Sequence, residues 1–532
     1  MIKMRYIVLV TIIIICFSNC AKRGYITGGD IDTIPPVALS FQPKNSSTNF
    51  NQKEFKITFD EYIKLKNINQ NLIISPPMEN IPDVTPMGSA SKVLTVKIKD
   101  TLSPNTTYSF NFGESITDNN EGNVFPQFKY IFSTGDYIDS LTVSGTIKSA
   151  NQLKPDNFVN IMLYDAKTFT DSTVYKQKPL YITNTLDSLT TFKIENIKEG
   201  SYYILALKDK NNNYKFDPAQ DKIGFIKDSI QIPTDESYDL TLFKSQEKFK
   251  ATRPAQVSQN KWYLPYQGGA DSVNITVKNG EELIKSTFTY LPAKDSLQVW
   301  FPKIELDSLS VLVSKKDYSE TFTVRPRPNM KTVDTLSISA VQSNTLDLKD
   351  TFKLISKTPI SEINSNNIFI TDKDSSKIPF EYINDFKEQK IQLVFQKKEA
   401  DRYTIELLPG ALIDFFGKEN DSIKFEVKTK EKTDYGNLNV HLNGVKRFPI
   451  ILQILDSKEE VVSEVYSEKE TSILFDLLPP KLYYLRIIYD DNKNRKWDSG
   501  YYFDRRQPEE TIYHPEQIDV RANWDIEQTI QL

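Results

Sequence analysis

The chain has 532 residues, with 66 Lys and Arg against 70 Asp and Glu, a formal charge of −4, two cysteines and two histidines. That length supplies several hydrophobic cores at about 100–200 residues each, the well-mixed charges give no sign of the basic stripe or high pI that nucleic-acid binding usually needs, and so few cysteines exclude a disulfide framework. In chain order, Lys3 and Arg5 precede an apolar run from Tyr6 to Phe17 and then Ser18-Asn19-Cys20. This is the layout of a signal peptide over residues 1–19, with a linker over 20–33. The run is shorter than the roughly 20 residues that a membrane-spanning helix needs.

From residue 34 onward the apolar residues recur with period two. Phe55, Ile57 and Phe59 alternate with polar neighbours, as do Leu94, Val96 and Ile98, and Tyr108, Phe110 and Phe112. Half-buried strands follow from that spacing. Turn signals at Ser103-Pro104-Asn105, Asp118-Asn119-Asn120 and Lys210-Asn211-Asn212-Asn213 separate the runs at intervals expected of β-sandwiches. No long stretch has apolar residues at helical spacing, so helices are expected to be few and short.

Two internal repeats emerge. Phe55-Lys-Ile-Thr, Ile63 and Asn71-Leu-Ile-Ile74 are echoed by Phe352-Lys-Leu-Ile, Ile360 and Asn367-Ile-Phe-Ile370, and the echo continues from Tyr108 to Tyr403 and from Asp118 to Asp414. A second repeat follows each copy. Phe192, Ile194, Ile197 and Tyr202-Tyr203 lead into Asp209-Lys-Asn211-Asn-Asn213-Tyr-Lys-Phe216-Asp217, and Ile473, Phe475, Leu478 and Tyr483-Tyr484 lead into Asp490-Asp-Asn492-Lys-Asn494-Arg-Lys-Trp497-Asp498. The chain therefore reads A-B-C-A-B, with boundaries at 34–137, 138–247, 248–330, 331–432 and 433–532. Pro254, Pro326 and Pro328 mark the edges of the unpaired C.

The Phe17-Ser18-Asn19-Cys20 segment resembles a relaxed bacterial lipobox, which implies that Cys20 is lipidated and becomes the first mature residue. Ala21, in place of an aspartate, implies by the same resemblance the outer membrane as the address. The A units resemble bacterial Ig-like domains of surface-layer and envelope proteins through Ile57-Thr-Phe59-Asp60, Ser75-Pro76-Pro77, Leu102-Ser-Pro104-Asn105-Thr106 with Tyr108, and Asp118 to Gly122. Together with Gly28-Gly29-Asp30 and Pro35-Pro36, the leader is similar to the start of Bacteroidetes-type lipoproteins that carry such a domain. The B units are similar to prealbumin-like modules related to carboxypeptidase regulatory domains, on Val143-Ser-Gly145-Thr146-Ile147, Phe192–Tyr203 and the Asp/Asn loop. The expected fold is all-β, a tandem of Ig-like and prealbumin-like sandwiches.

Candidate chemistry is sparse. Asp209, Asn211, Asn213 and Asp217, and in the second copy Asp490, Asn492, Asn494 and Asp498, place oxygens at offsets 1, 3, 5 and 9, as calcium loops do. Position 6, however, is Tyr214 or Arg495 where such loops use glycine, and no bidentate glutamate follows. The alternative is a set of Asx-turns pinned by Phe216 or Trp497, with calcium an optional occupant. Trp262, Tyr263 and Tyr266 form an aromatic cluster that would either stack on a sugar or partner protein or fill a core. Asp504-Arg505-Arg506 with Pro508-Glu509-Glu510 reads as a solvated hairpin in preference to a charged rim. His441 and His514 sit in no metal-binding or nucleophile motif. The sequence thus points to a non-enzymatic outer-membrane lipoprotein, a scaffold or binding component that contacts other envelope proteins, takes no cofactor other than optional calcium and binds no nucleic acid. A surface adhesin or glycan-binding protein is the rival reading, followed by an envelope polysaccharide hydrolase.

Overall fold

The structure is a computed structural model and describes residues 31–186, 190–303, 308–327 and 330–532. The signal peptide, Cys20, Gly28-Gly29-Asp30 and Pro328 lie outside the described residues. The chain folds as two compact units that part between Ser140 and Leu141. Strands dominate both, and the helices are single turns such as Ile68–Asn71 and Thr173–Lys176. None of the described helices is long and apolar enough to cross a membrane.

In the first unit one sheet orders Ala38–Gln42, Glu54–Leu65, Ser91–Lys97 and Asp83–Thr85, and the facing sheet orders Ile73–Ser75, Thr107–Asn111 and Lys129–Ser133. The period-two pattern explains the pairing, because Phe55, Ile57 and Phe59 point inward to meet Leu94, Val96, Phe110 and Phe132. The register of Glu54–Leu65 shifts after Thr58, and the strand then adds Ile116–Asp118 as a partner. A break of this kind bends a strand and lets it serve two neighbours.

In the second unit, residues 338–428 repeat that topology. Ile338–Ala340, Phe352–Ser356, Lys390–Phe395 and Phe380–Asp385 form one sheet, and Ile368–Thr371, Arg402–Leu407 and Ile423–Lys428 form its partner. A shared side-chain lock confirms the equivalence. Tyr108 Oη accepts the Ser103 N–H at 2.9 Å and Thr134 Oγ1 donates to Ser103 O at 2.7 Å. In the other copy Tyr403 Oη accepts the Lys398 N–H at 2.7 Å and Thr429 Oγ1 donates to Lys398 O at 2.6 Å.

Residues 141–242 and 436–531 form the second repeated pair. In the first, the order Tyr181–Asn184, Asn160–Asp165, Gly200–Lys208, Lys222–Phe225 faces Thr191–Ile197, Leu141–Ser149, Ser237–Leu242. The copy orders Val461–Ser467, Ile450–Leu455, Lys481–Tyr489, Thr511–Tyr513 against Ser472–Leu478, Gly436–Asn443, Asp525–Gln531. Both smaller sheets end on a parallel pair in an otherwise antiparallel arrangement. The first tyrosine of each pair is explained here, since Tyr202 Oη donates to Lys198 O at 2.9 Å and Tyr483 Oη to Pro479 O at 2.6 Å, both closing the turn before the strand. Between the pairs, residues 250–324 hold a further two-sheet core around Trp262, Val299 and Val311.

Candidate functional site

The strands Gly200–Lys208 and Lys481–Tyr489 each run out into an Asp/Asn loop whose first aspartate, Asp209 or Asp490, is buried. Asp209 Oδ1 accepts the Asn211 N–H at 3.0 Å and Oδ2 the Tyr214 N–H at 2.7 Å. Asp490 likewise accepts the Asn494 N–H at 3.1 Å and the Arg495 N–H at 2.8 Å. The backbone repeats as well: φ is 52° at Asn212 and 58° at Tyr214, and 64° at both Lys493 and Arg495. Tyr214 and Arg495 therefore adopt the left-handed conformation that glycine supplies in calcium loops, at a steric cost that glycine does not bear.

Each loop is closed by a second carboxylate that the spacing of the motif does not announce. Asp221 Oδ1 accepts the Lys210 N–H at 2.9 Å and Oδ2 the Asp217 N–H at 2.8 Å. Glu509 does the same for Asp491 at 2.9 Å and Asp498 at 3.0 Å. Burial raises the Asp209 carboxyl above its ordinary value, with the Tyr214 N–H opposing and the Asp221 charge adding to the rise. Burial raises Glu509 in the same way, against the N–H of Asp498.

The remaining polar groups serve the turn. Asn213 Oδ1 takes the Lys215 N–H and Asn494 Oδ1 the Lys496 N–H, each at 2.8 Å, while Asn492 and Asn494 donate side-chain N–H groups to Asp498. Phe216 is buried and Trp497 half-buried, the latter donating Nε1–H to Glu509 O at 3.2 Å. Among the described residues no group of three or more His, Cys, Asp or Glu side chains is arranged to hold a metal ion. The geometry can fix a strand-to-strand connection through charge-assisted bonds to backbone N–H groups.

Of the two readings of the aromatic cluster, the core is the one the packing supports. Trp262 is 1% exposed and packs on Phe301 at a ring-centroid distance of 4.3 Å, so its indole has no face free for stacking on a ligand. Tyr263 is half-buried beneath Lys294, and Tyr266 is half-buried against Phe249. The three rings are not a joint platform: successive strand positions point to opposite faces.

Residues 499–508 depart from the expected solvated hairpin. They do form a hairpin, with Tyr501 and Arg506 bridged, but Tyr502 is 0% exposed and the Arg505 side chain only 18%. Arg505 pairs with Asp171 at 2.8 Å, and its guanidinium lies 5.0–5.7 Å from the rings of Tyr502, Phe169, Tyr203 and Phe225. Charge content alone suggested solvent; the run Tyr501-Tyr502-Phe503 beside it was the available signal for burial.

Residues 32–134 match the family model described as a bacterial Ig-like domain. No curated protein matches this chain in sequence. Among solved structures, the chain is similar to the S-layer protein SbsC, at 14% identity over 86% of this chain and 64% of that one with a TM-score of 0.15. The chain thus spans less than two thirds of that structure. It is also similar to BcpA, the major pilin subunit of Bacillus cereus, at 10% identity over 74% and 99% with a TM-score of 0.14, and to the Bacillus anthracis TIE protein, at 10% over 95% and 75% with a TM-score of 0.14. With its two facing sheets and its match over residues 32–134, the first unit is a bacterial Ig-like domain within an all-β chain of repeated sandwiches.

Proposed function

We propose that this chain is a non-enzymatic lipoprotein of the bacterial outer membrane, anchored at Cys20, whose five β modules at 34–137, 138–247, 248–330, 331–432 and 433–532 act as a scaffold for other envelope proteins. The observation that carries the reading is the repetition itself. Two sandwich types recur with the same strand order, the same tyrosine locks and the same loop geometry. Repeated rigid modules suit the spacing and presentation of binding surfaces, and the Ig-like match over residues 32–134 belongs to a domain type of bacterial proteins. The side chains nominated from sequence are committed to the architecture, Trp262 to a core and the loop carboxylates to backbone N–H groups. Fold by itself does not select a function, so the test is biochemical. A mild-detergent pull-down of the tagged full chain should recover a fixed set of outer-membrane proteins. Retention on polysaccharide or host matrix without such a set would favour an adhesin, and turnover of glycans in the same preparation would favour a hydrolase.

A further inference from the structure

An antiparallel sheet that shows one face to water alternates apolar and polar residues. The larger sheet of the 141–242 sandwich does not. Strand Asn160–Asp165 reads Asn-Ile-Met-Leu-Tyr-Asp, with Ile161 and Leu163 in the sandwich core and Met162 and Tyr164 on the opposite face, yet Met162 and Tyr164 are buried too. Leu205, Leu207 and Phe225 are likewise buried. The sequence therefore encodes a cover for the outer face of this sheet.

Part of that cover comes from the other end of the second unit. In the 141–242 sandwich, Asp221 closes the Asp/Asn loop four residues after Asp217. In the 436–531 sandwich, Glu509 closes it eleven residues after Asp498, and the extra chain between them is the 499–508 hairpin. Tyr502 inserts its ring edge-on against Phe225 at 5.5 Å and Phe216 at 5.7 Å. The backbone joins in, as the Gln246 N–H donates to Gly500 O at 2.9 Å, the Tyr502 N–H to Ser245 Oγ at 3.2 Å, and Gln507 Nε2 to Phe225 O at 2.8 Å. Gly500 is required here, because a Cβ would lie 2.5 Å from the Phe243 ring and 2.7 Å from Arg506 O.

We propose that the 499–508 hairpin is an intramolecular clasp, and that the outer face of the 141–242 sandwich is a docking surface built for an aromatic residue followed three positions later by an arginine, its occupant being this chain's own Tyr502 and Arg505. The clasp, together with the bonds from Thr511 to Ala150 O and from Arg486 to Asn151 O, holds the 141–242 and 436–531 sandwiches together. It also accounts for the asymmetry of the repeat, since only the second copy carries the added segment and only the first receives it. The inference stands independently of the scaffold reading, because it concerns contacts within one chain.

The test compares the full chain as wild type, as Tyr502→Ala with Arg505→Ala, and as Tyr502→Phe. The Tyr502 hydroxyl is buried without a partner, so the phenylalanine variant should behave as wild type. The double alanine variant should keep its strand content by circular dichroism, raise hydrogen exchange at the Gln246 amide at least tenfold and enlarge the radius of gyration in solution scattering. A second measurement keeps Tyr502 and Arg505 in place: Lys244→Cys with Ser499→Cys, positions brought together by the Ser499 hydroxyl to Lys244 O bond, should form an intrachain disulfide on mild oxidation. Unchanged exchange and radius in the alanine variant would overturn the clasp, as would failure of the cysteine pair to cross-link within the chain. A wild-type dimer that the alanine variant splits into monomers would overturn it as well, by placing the contact between copies.

Discussion

Buried carboxylates that gather backbone N–H groups recur at single residues throughout this chain. Asp118 is the fullest case, accepting from Asn120, Glu121, Gly122 and Asn123 at 2.8–2.9 Å. Burial pushes its pKa up, but the four N–H groups outweigh that and hold it below the ordinary 3.8. A depressed folded pKa means stability that is present above the unfolded value and lost as pH falls through the folded one. In acid-titrated melting curves, Asp118→Asn should therefore lie furthest below wild type near neutral pH, with the gap closing below about pH 4; a gap independent of pH would contradict this. For the Asp/Asn loops, Asp490→Ala with Asp498→Ala should cost about 1–3 kcal/mol by stranding buried N–H donors. Because the loss is in the turn, it should be the same in excess calcium and in chelator. A calcium-dependent rise in wild-type melting temperature that the double variant abolishes would instead make the loop a metal site. Asp209 and Asp490 were legible from sequence because they start a spaced motif, whereas Asp221 and Glu509 were not, since the closing carboxylate stands at a different distance in each copy.

At the scale of elements, the two copies solve one packing problem with different side chains. Gly145 lies opposite Phe192 in the first copy, and Val440 lies opposite Ile473 at the equivalent place in the second. A small residue facing a large one has become two of middle size, which conserves volume in a close-packed core. The exchange cannot be made one side at a time. A Cβ on Gly145 would stand 1.9 Å from Tyr238 O and 2.6 Å from the Phe192 ring, so Gly145→Val should cost several kcal/mol, at the upper end of about 1–3 for overpacking or beyond it, read as a fall in the denaturant midpoint. Loss within experimental error would show that the parallel pair at this strand relaxes freely. Period-two patterning made the strands readable wherever one face meets water, as in Glu54–Leu65. It was silent where both faces are buried, as in Asn160–Asp165 and Ile450–Leu455, because a continuous apolar run says that a cover exists and not which segment supplies it.

For the whole molecule, the all-β class followed from patterning, and the repeats followed from spaced aromatics and aspartates that hold the same turns in each copy. The return of residues 499–508 to the first half of the second unit left no comparable trace, since it depends on contacts between residues more than 250 positions apart. The proposed scaffold role depends first on address, because it requires that the chain be anchored at Cys20 to the outer membrane. The deciding measurement is membrane fractionation of cells expressing the full chain as wild type and as Cys20→Ala. The account predicts that wild type sediments with the outer membrane and that the variant is released into the soluble fraction or persists as an unprocessed precursor; a variant that is processed and still fractionates with the outer membrane would contradict it.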